Sequence, residues 1–445
     1  MIQLKQTPIG KIPKDWEVVR LKNICTKITD GTHRTPKYVE KGIPFISTQN
    51  IKPFCKGFDF SQYRKYISLE EHKELTKRCK PEKGDLLISK CGTIGRTKIV
   101  DVDYEFSIFV GLALLKLNKK KVCGKFLEQL LNFEPFIRRM EVASPGSTRK
   151  TLTISAIKNL LIPLPPLPEQ KAIAKILSTV DKAIQKVDEA IAKTERLKKG
   201  LMQKLLTKGI GHKEFKYSKE LGCEIPREWT VLTLSEMIEK KYILSHMDGN
   251  HGELYPRQHE FVDKGIPYIN ANQLVNGKVD LNKSKYISKE KANQLRKGFA
   301  KNGDILFAHN ATVGPVGILE TKLDYVVLST TLTYYRCNPE FLFNYYLMYY
   351  MQSKHFQNQL RRIMGQSTRN QVPITTQRKL FFIIPDMEEQ QKIAEILSTV
   401  DKKLELEKKR KEKLERIKKG LMNDLLTGKK RVNVEKVSNE VKNDM

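Results

Sequence analysis

Short polar stretches interrupt the apolar runs of this chain, and their side chains are of the types that recognise base edges. In the first half they are Thr32, His33 and Arg34; Thr48, Gln49 and Asn50 of an STQN segment; and Ser147, Thr148, Arg149 and Lys150. In the second half they are Asn250 and His251; Asn272 and Gln273 of NANQ; His309 and Asn310; and Ser367, Thr368 and Arg369. Arginine pairs bidentately with guanine, and asparagine or glutamine with adenine. Each of these residues has a competing use as a turn or cap, and Asp30-Gly31 has the pattern of a tight turn. His33, His246, His251 and His259 invite a metal reading. No cysteine or acidic cluster stands at ligand spacing beside them, so no metal site is expected.

Other chemistry finds little support. The chain holds no G-x-x-x-x-G-K-S/T phosphate loop, no G-x-S-x-G and no H-E-x-x-H. It also lacks the Asn-Pro-Pro-aromatic tetrapeptide of adenine methyltransferases; NPEF at 338–341 is not one. CGTIGRTK (91–98) and NATVGPVG (310–317) are expected as strand-end turns. The expectation is a chain with no catalytic residue of its own.

The elements that must position the polar stretches come in duplicate. EQKAIAKILSTVDK (169–182) returns as EQQKIAEILSTVDK (389–402), and RLKKGLMQKLLT (196–207) as RIKKGLMNDLLT (416–427). Upstream the echoes are weaker: IPKDW (12–16) and IPREW (225–229) hold the two tryptophans, DGTH (30–33) matches DGNH (248–251), and KGIPFI (41–46) matches KGIPYI (264–269). Each half is therefore a variable globular region followed by a better-kept segment.

The kept segments read as helices. Ile173, Leu177, Val180, Ile184, Val187 and Ile191 step by four and three, a coiled-coil seam. Ile393, Leu397, Val400 and Leu404 repeat that frame; Glu407 and Lys411 then take apolar positions before Leu414, Ile417 and Leu421 resume it. The prolines of IPLPPLPEQ (162–170) end a strand and let the helix begin near Pro168. A match this close between copies asks for a cause beyond solubility, and a shared partner surface at each end would supply it. The variable regions read as α+β, short strands with a few helices such as Lys125 to Met140.

Composition narrows the class. The 445 residues are 40% hydrophobic and carry a net charge of +31, which points to a polyanionic partner, nucleic acid before membrane. Residues 1–168 alone hold 31 basic and 16 acidic side chains, so the excess sits in a folded region. Seven scattered cysteines suit a reducing compartment, and neither a signal core nor a membrane span is evident. A cytoplasmic location is expected.

Taken with IPLPPLPEQKAIAKIL, the two R-L/I-K-K-G-L-M segments and the paired IP-x-x-W openings, this arrangement resembles the specificity (S) subunit of type I restriction-modification systems. One departure is IIPDMEEQ in the second copy, where the family has a run of the Pro-Leu-Pro-Pro-Leu kind. The resemblance implies two target-recognition domains (1–165 and 209–384), two spacer helices (166–208 and 385–427) pairing as an antiparallel coiled coil, and a C-terminal tail (428–445). It implies recognition of a split, asymmetric site in double-stranded DNA, without catalysis by this chain. Two methylation (M) subunits would bring S-adenosylmethionine, and two restriction/translocase (R) subunits ATP and Mg. The competing functions are a protein adaptor built on a coiled coil and a self-sufficient DNA-modifying enzyme with unfamiliar motifs. If Arg149 or Arg369 touches bases, alanine there relaxes one half-site, whereas a uniform loss of affinity marks a phosphate contact.

Overall fold

The computed structural model describes residues 3–144, 150–365 and 370–434. The chain divides into two units, Met1–Ala190 with Glu407–Met445, and Ile191–Leu406. Each unit therefore contains one globular α+β region, the first half of the long helix that follows it, and the last half of the other long helix.

The long helices run Leu167–Lys208 and Met387–Leu426. Prolines 163, 165 and 166 bound the first as expected: the strand Leu161–Leu164 ends and the helix starts at Leu167. The first helix stops at Gly209 and the second short of Gly428, both at positive φ, where a side chain would be strained.

In unit 1 the helix halves pair through Asp181 with Lys418 and Asp188 with Lys411, each at 2.6 Å. In unit 2 Lys198 meets Asp401 at 2.6 Å. In unit 1 the numbers fall on one helix by as much as they rise on the other, so that pairing is antiparallel. It is also reciprocal. Asp181 and Asp401 are one repeat position, Lys198 and Lys418 another, and each aspartate takes the lysine of the opposite copy. Reciprocal pairing gives a reason within the chain for the two helices to match.

Ile173, Leu177, Val187, Ile393, Leu397 and Leu404 are buried. Val180, Ile184, Ile191 and Val400 are half-buried. Ile417 departs from the expected seam: it is 43% exposed, while the Lys418 side chain is only 12% exposed. The step from Leu414 is four residues rather than three, and Lys418 enters with Asp181 to neutralise it and the Phe54 ring beneath its ammonium.

Both globular regions share one plan. Among the described residues the main sheet of unit 1 is antiparallel, ordered Cys25–Asp30, Leu112–Leu117, Leu86–Ser89, Thr97–Ile99. That of unit 2 follows the same order with Ile243–Asp248, Leu332–Cys337, Ile305–Ala308 and Val316–Ile318, and adds two short strands. A smaller sheet in each joins Ile43–Ile46 in parallel to Ser107–Ile108, or Ile266–Ile269 to Val326–Leu328. The central strands are buried on both faces, which is why they read as unbroken apolar runs. Leu86 and Ile88 face the helices with Trp16, Leu177 and Leu426, while Leu87 faces the smaller sheet with Ile46 and Ile108.

The single helix expected over Lys125–Met140 is two, Gly124–Leu131 and Glu134–Val142. Pro135 has no N–H to give Leu131 and is accommodated only in a first turn, so the helix must restart there.

The repeated motifs meet where each globular region joins its helix. The Trp16 indole donates to Glu169 Oε2 at 3.0 Å, and the Trp229 indole to Glu389 Oε2 at 2.7 Å. Gln170 and Gln390, both buried, each accept a backbone N–H from the region in front (Cys123 and Phe343) and donate to the proline carbonyl five residues back. The Glu-Gln pair is thus an interior bracket, and the IP-x-x-W opening supplies its partner.

Candidate nucleic-acid interface

In each unit the ends of the central strands gather four polar loops into one rim. In unit 1, Thr32 N–H donates to Ile108 O (3.1 Å) and Val110 N–H to Thr32 O (2.9 Å). Phe109 N–H donates to Ile46 O, Lys90 N–H to Gly111 O and Leu152 N–H to Lys90 O. This ties DGTH, STQN, the turn after Ser89 and the segment from Lys150 into one surface. Unit 2 repeats the arrangement: Ser329 N–H donates to Ile269 O, His309 N–H to Thr331 O and Val372 N–H to His309 O. Leucine-rich strands thereby converge loops far apart in the chain.

Asp30-Gly31 is the pivot of the first rim. A Cβ on Gly31 would lie 2.1 Å from Ile108 O, and one on Gly249 2.3 Å from Ser329 O, so only glycine allows this crossing. The aspartates before them are buried and fully engaged. Asp30 meets Lys90 Nζ at 2.5 Å, His33 Nε2 at 3.2 Å and the Arg78 guanidinium. Asp248 meets His251 Nε2 at 2.8 Å and the Lys297 ammonium. Burial opposes ionisation of Asp30, but hydrogen bonds and charge from Lys90 and His33 outweigh it and hold the carboxyl below its ordinary range. Asp248 is shifted down likewise: burial opposes, and Lys297 and His251 prevail.

Of the expected base readers, His33, Arg34, Gln49, Lys150, His251 and Asn272 are exposed at the rims. Thr32, Thr48 and Asn310 are half-buried. Arg34 leans on Glu71 Oε1 at 2.9 Å. Asn50, Asn250, Gln273 and His309 are buried, which corrects their assignment as base readers. Their polar atoms could not reach DNA without unpacking the rim. Asn50 donates to Asp59 O and Tyr63 O and accepts Ser47 N–H; Gln273 accepts Asn270 N–H in the equivalent turn and donates to Ser284 Oγ. Asn250 holds the backbone of Arg296 and Lys297. The His309 imidazole is pushed down by burial, against the pull of Asp248. Ser147, Thr148, Arg149, Ser367, Thr368 and Arg369 lie outside the described residues.

Lys90, Arg78 and Lys297 escaped the sequence reading, although a signal existed. Arg78 and Lys297 each stand six residues before the glycine of the repeated G-D-L/I-L. Among the described residues no group of His, Cys, Asp or Glu is placed to hold a metal ion, and no helix is long and apolar enough to cross a membrane.

A family model described as the type I restriction modification DNA specificity domain matches twice, over residues 13–195 and 226–416. The chain belongs to this family, the specificity subunits of type I restriction-modification systems. A putative type I restriction enzyme MjaX specificity subunit of Methanocaldococcus jannaschii is 31% identical over 446 residues, with 96% of each chain covered. The MjaVIII specificity subunit of the same organism is 28% identical, covering 95% of this chain and 94% of its own. Among solved structures, the type I system S subunit from M. genitalium matches with TM-score 0.59 at 16% identity, over 94% of this chain and 98% of its own. A chain from a structure of type I complex assembly and conformational transition matches with TM-score 0.53 at 18% identity, over 94% and 99%. At these identities the structural likeness speaks for the fold. The match boundaries place one family domain on each rim, so both rims belong to target-recognition domains.

Proposed function

We propose that this specificity subunit reads a split, asymmetric site in double-stranded DNA, one half with each rim. The observation that carries this reading is a common frame bearing unlike contact surfaces. The bracket of Trp, Glu and Gln recurs in both units, and the paired helices match, whereas the exposed loops do not: Gln49 and Lys150 in one rim, Asn272 and Asn370 in the other. The basic excess of residues 1–168 suits phosphate attraction, with loop side chains adding sequence preference.

In this reading the helices set the distance between half-sites, because DNA rises a fixed amount per base pair. The chain supplies recognition and assembly and has no catalytic group of its own. Two methylation subunits bring S-adenosylmethionine and flip the target adenine from the duplex. Two restriction/translocase subunits bring ATP and Mg. The setting is cytoplasmic.

The test is genome-wide mapping of N6-methyladenine with and without the gene, followed by exchange of residues 1–165 for those of a relative. Deletion should abolish methylation at one split motif, and the exchange should alter one half of it. Alteration of both halves, or of neither, would overturn the two-reader model.

A further inference from the structure

The two rims differ at most positions where side chains reach solvent. Thr48-Gln49 stands where the other rim has Ala271-Asn272, and the turn Cys91–Arg96 where it has Asn310–Pro315. Among the described residues two exposed side chains recur at these places: a threonine, Thr93 or Thr312, and a histidine that each rim holds by the same tether. His33 and His251 each follow a buried aspartate by three residues, with side chains 62% and 53% exposed. Each ring is tied through Nε2 to that aspartate, at 3.2 and 2.8 Å, and the aspartates are only 7% and 11% exposed. Each aspartate is anchored in turn by a cation from elsewhere in the fold, Lys90 with Arg78 in one rim and Lys297 in the other. The intervening glycine, with no room for a Cβ, fixes where the histidine leaves the strand.

Two readers of different sequences need different base contacts. What their half-sites share is the sugar-phosphate backbone, whose contacts position the protein without reading sequence. A group held the same way on two otherwise divergent rims is suited to the shared part of the ligand. Building on the proposed role in DNA reading, we infer that His33 and His251 are backbone-phosphate contacts, one per half-site, with Asp30 and Asp248 as their positioning residues. Nε2–H donates to the aspartate, so Nδ1 is the ring nitrogen left for the phosphate, and it donates there as the imidazolium, whose two N–H groups bridge carboxylate and phosphate. Lys90 and Arg78 together outweigh the charge of Asp30, so the first rim stays attractive to an anion behind the ring.

The test uses the full chain assembled with its methylation subunits. The probes are two duplexes of equal length, one carrying the mapped split site and one lacking it. His33→Ala and His251→Ala should each weaken binding to both duplexes several-fold and by the same factor. The slope of log Kd against log salt should become shallower by about one for each histidine removed. The methylated motif should be unaltered, and His33→Arg should restore affinity for both duplexes. A loss confined to the site-bearing duplex, or a relaxed half of the motif, would make these histidines base readers and overturn the inference; unchanged affinity and slope would overturn it too. The wild-type complex tests the underlying reading separately. If it does not discriminate between the duplexes, sequence reading fails, while the histidines are still judged by affinity and salt slope on either one.

Discussion

The main sheets of the two units pair their strands in the same register yet are filled by opposite chemistry at one place. In unit 1 Ile28 faces Leu115 across the sheet, and Ile157 packs in the same apolar core. In unit 2 the corresponding positions are His246, Tyr335 and Gln377. The Gln377 side chain accepts from the Tyr335 hydroxyl at 2.8 Å, meets His246 Nε2 at 3.0 Å, and donates to Thr333 Oγ1 and Val372 O. All three residues are buried. The trio shares hydrogen bonds through Gln377, with His246 Nδ1 left unpaired, so its members depend on one another and must be kept or replaced as a set. The same frame thus accepts either solution, and the difference should appear in how each unit responds to mutation and to acid.

The largest effect should fall equally on both units and tests whether their frames are equivalent. Leu177→Asp or Leu397→Asp puts an unpaired charge at a fully buried helix position and should cost at least about 5 kcal/mol, enough to unfold the unit. Limited proteolysis would show which unit opens; if neither does, the helices are not integral to the cores.

Gln377→Ile should cost about 4 kcal/mol, because His246, Tyr335 and Thr333 all lose a buried partner. The reverse change, Ile157→Gln, should be comparably costly, with no trio to join. Denaturant unfolding of both variants measures this, and a neutral outcome for either would mean the two cores are interchangeable residue by residue.

Acid should separate the units further. Burial pushes the His246 imidazole down to about 4, with the Gln377 hydrogen bond opposing, against an ordinary value of 6.5. Below 6.5 the unfolded chain gains a proton that the folded unit refuses. The contribution is therefore complete above pH 6.5 and is lost as pH falls toward about 4, roughly 3 kcal/mol in all. Ile28 has nothing to titrate. Stability measured from pH 7 to 4 should fall less in His246→Ile than in the wild type, and an identical slope would refute the assignment.

A smaller contrast lies at the brackets. Arg431, beyond the second helix, donates to Glu169 and Asp15 at 2.7–2.8 Å, and holds the Asp15 carboxyl below its ordinary range. In unit 2 the linker residue His212 occupies that place on Glu389, with both carboxylate oxygens at 3.0 Å. Arg431→Ala should cost about 2 kcal/mol, since it leaves the buried Glu169 with only the Trp16 N–H. Thermal unfolding would register this in unit 1, and no shift would make the contact incidental. Least of all should come from Lys411→Ala. Its pair with Asp188 is partly exposed, and under about 1 kcal/mol is expected by the same measurement.

Much of the architecture was legible because local rules and repetition agree. The four-three spacing marked the long helices, unbroken apolar runs marked the doubly covered strands, and the duplicated motifs implied two similar domains. Pro135 is legible too: its missing N–H divides the stretch into Gly124–Leu131 and Glu134–Val142. Where the reading failed, a side chain's fate depended on residues distant in sequence. Asn50, Asn250 and Gln273 look like base readers until the turns they brace are folded over them. Ile417 and Lys418 are adjacent choices for one seam, and only Asp181 on the other helix decides between them.

By itself the sequence determined the duplicated plan, the helices and the chemical types available at the loops, since these follow from periodicity, turn chemistry and composition. The tertiary structure alone decided which loops share a rim, that each helix end completes the core of the opposite recognition domain, and that Asp30 and Asp248 hold their histidines outward. Those outcomes are set by packing and charge pairing between segments tens to hundreds of residues apart, where no local pattern records the partner.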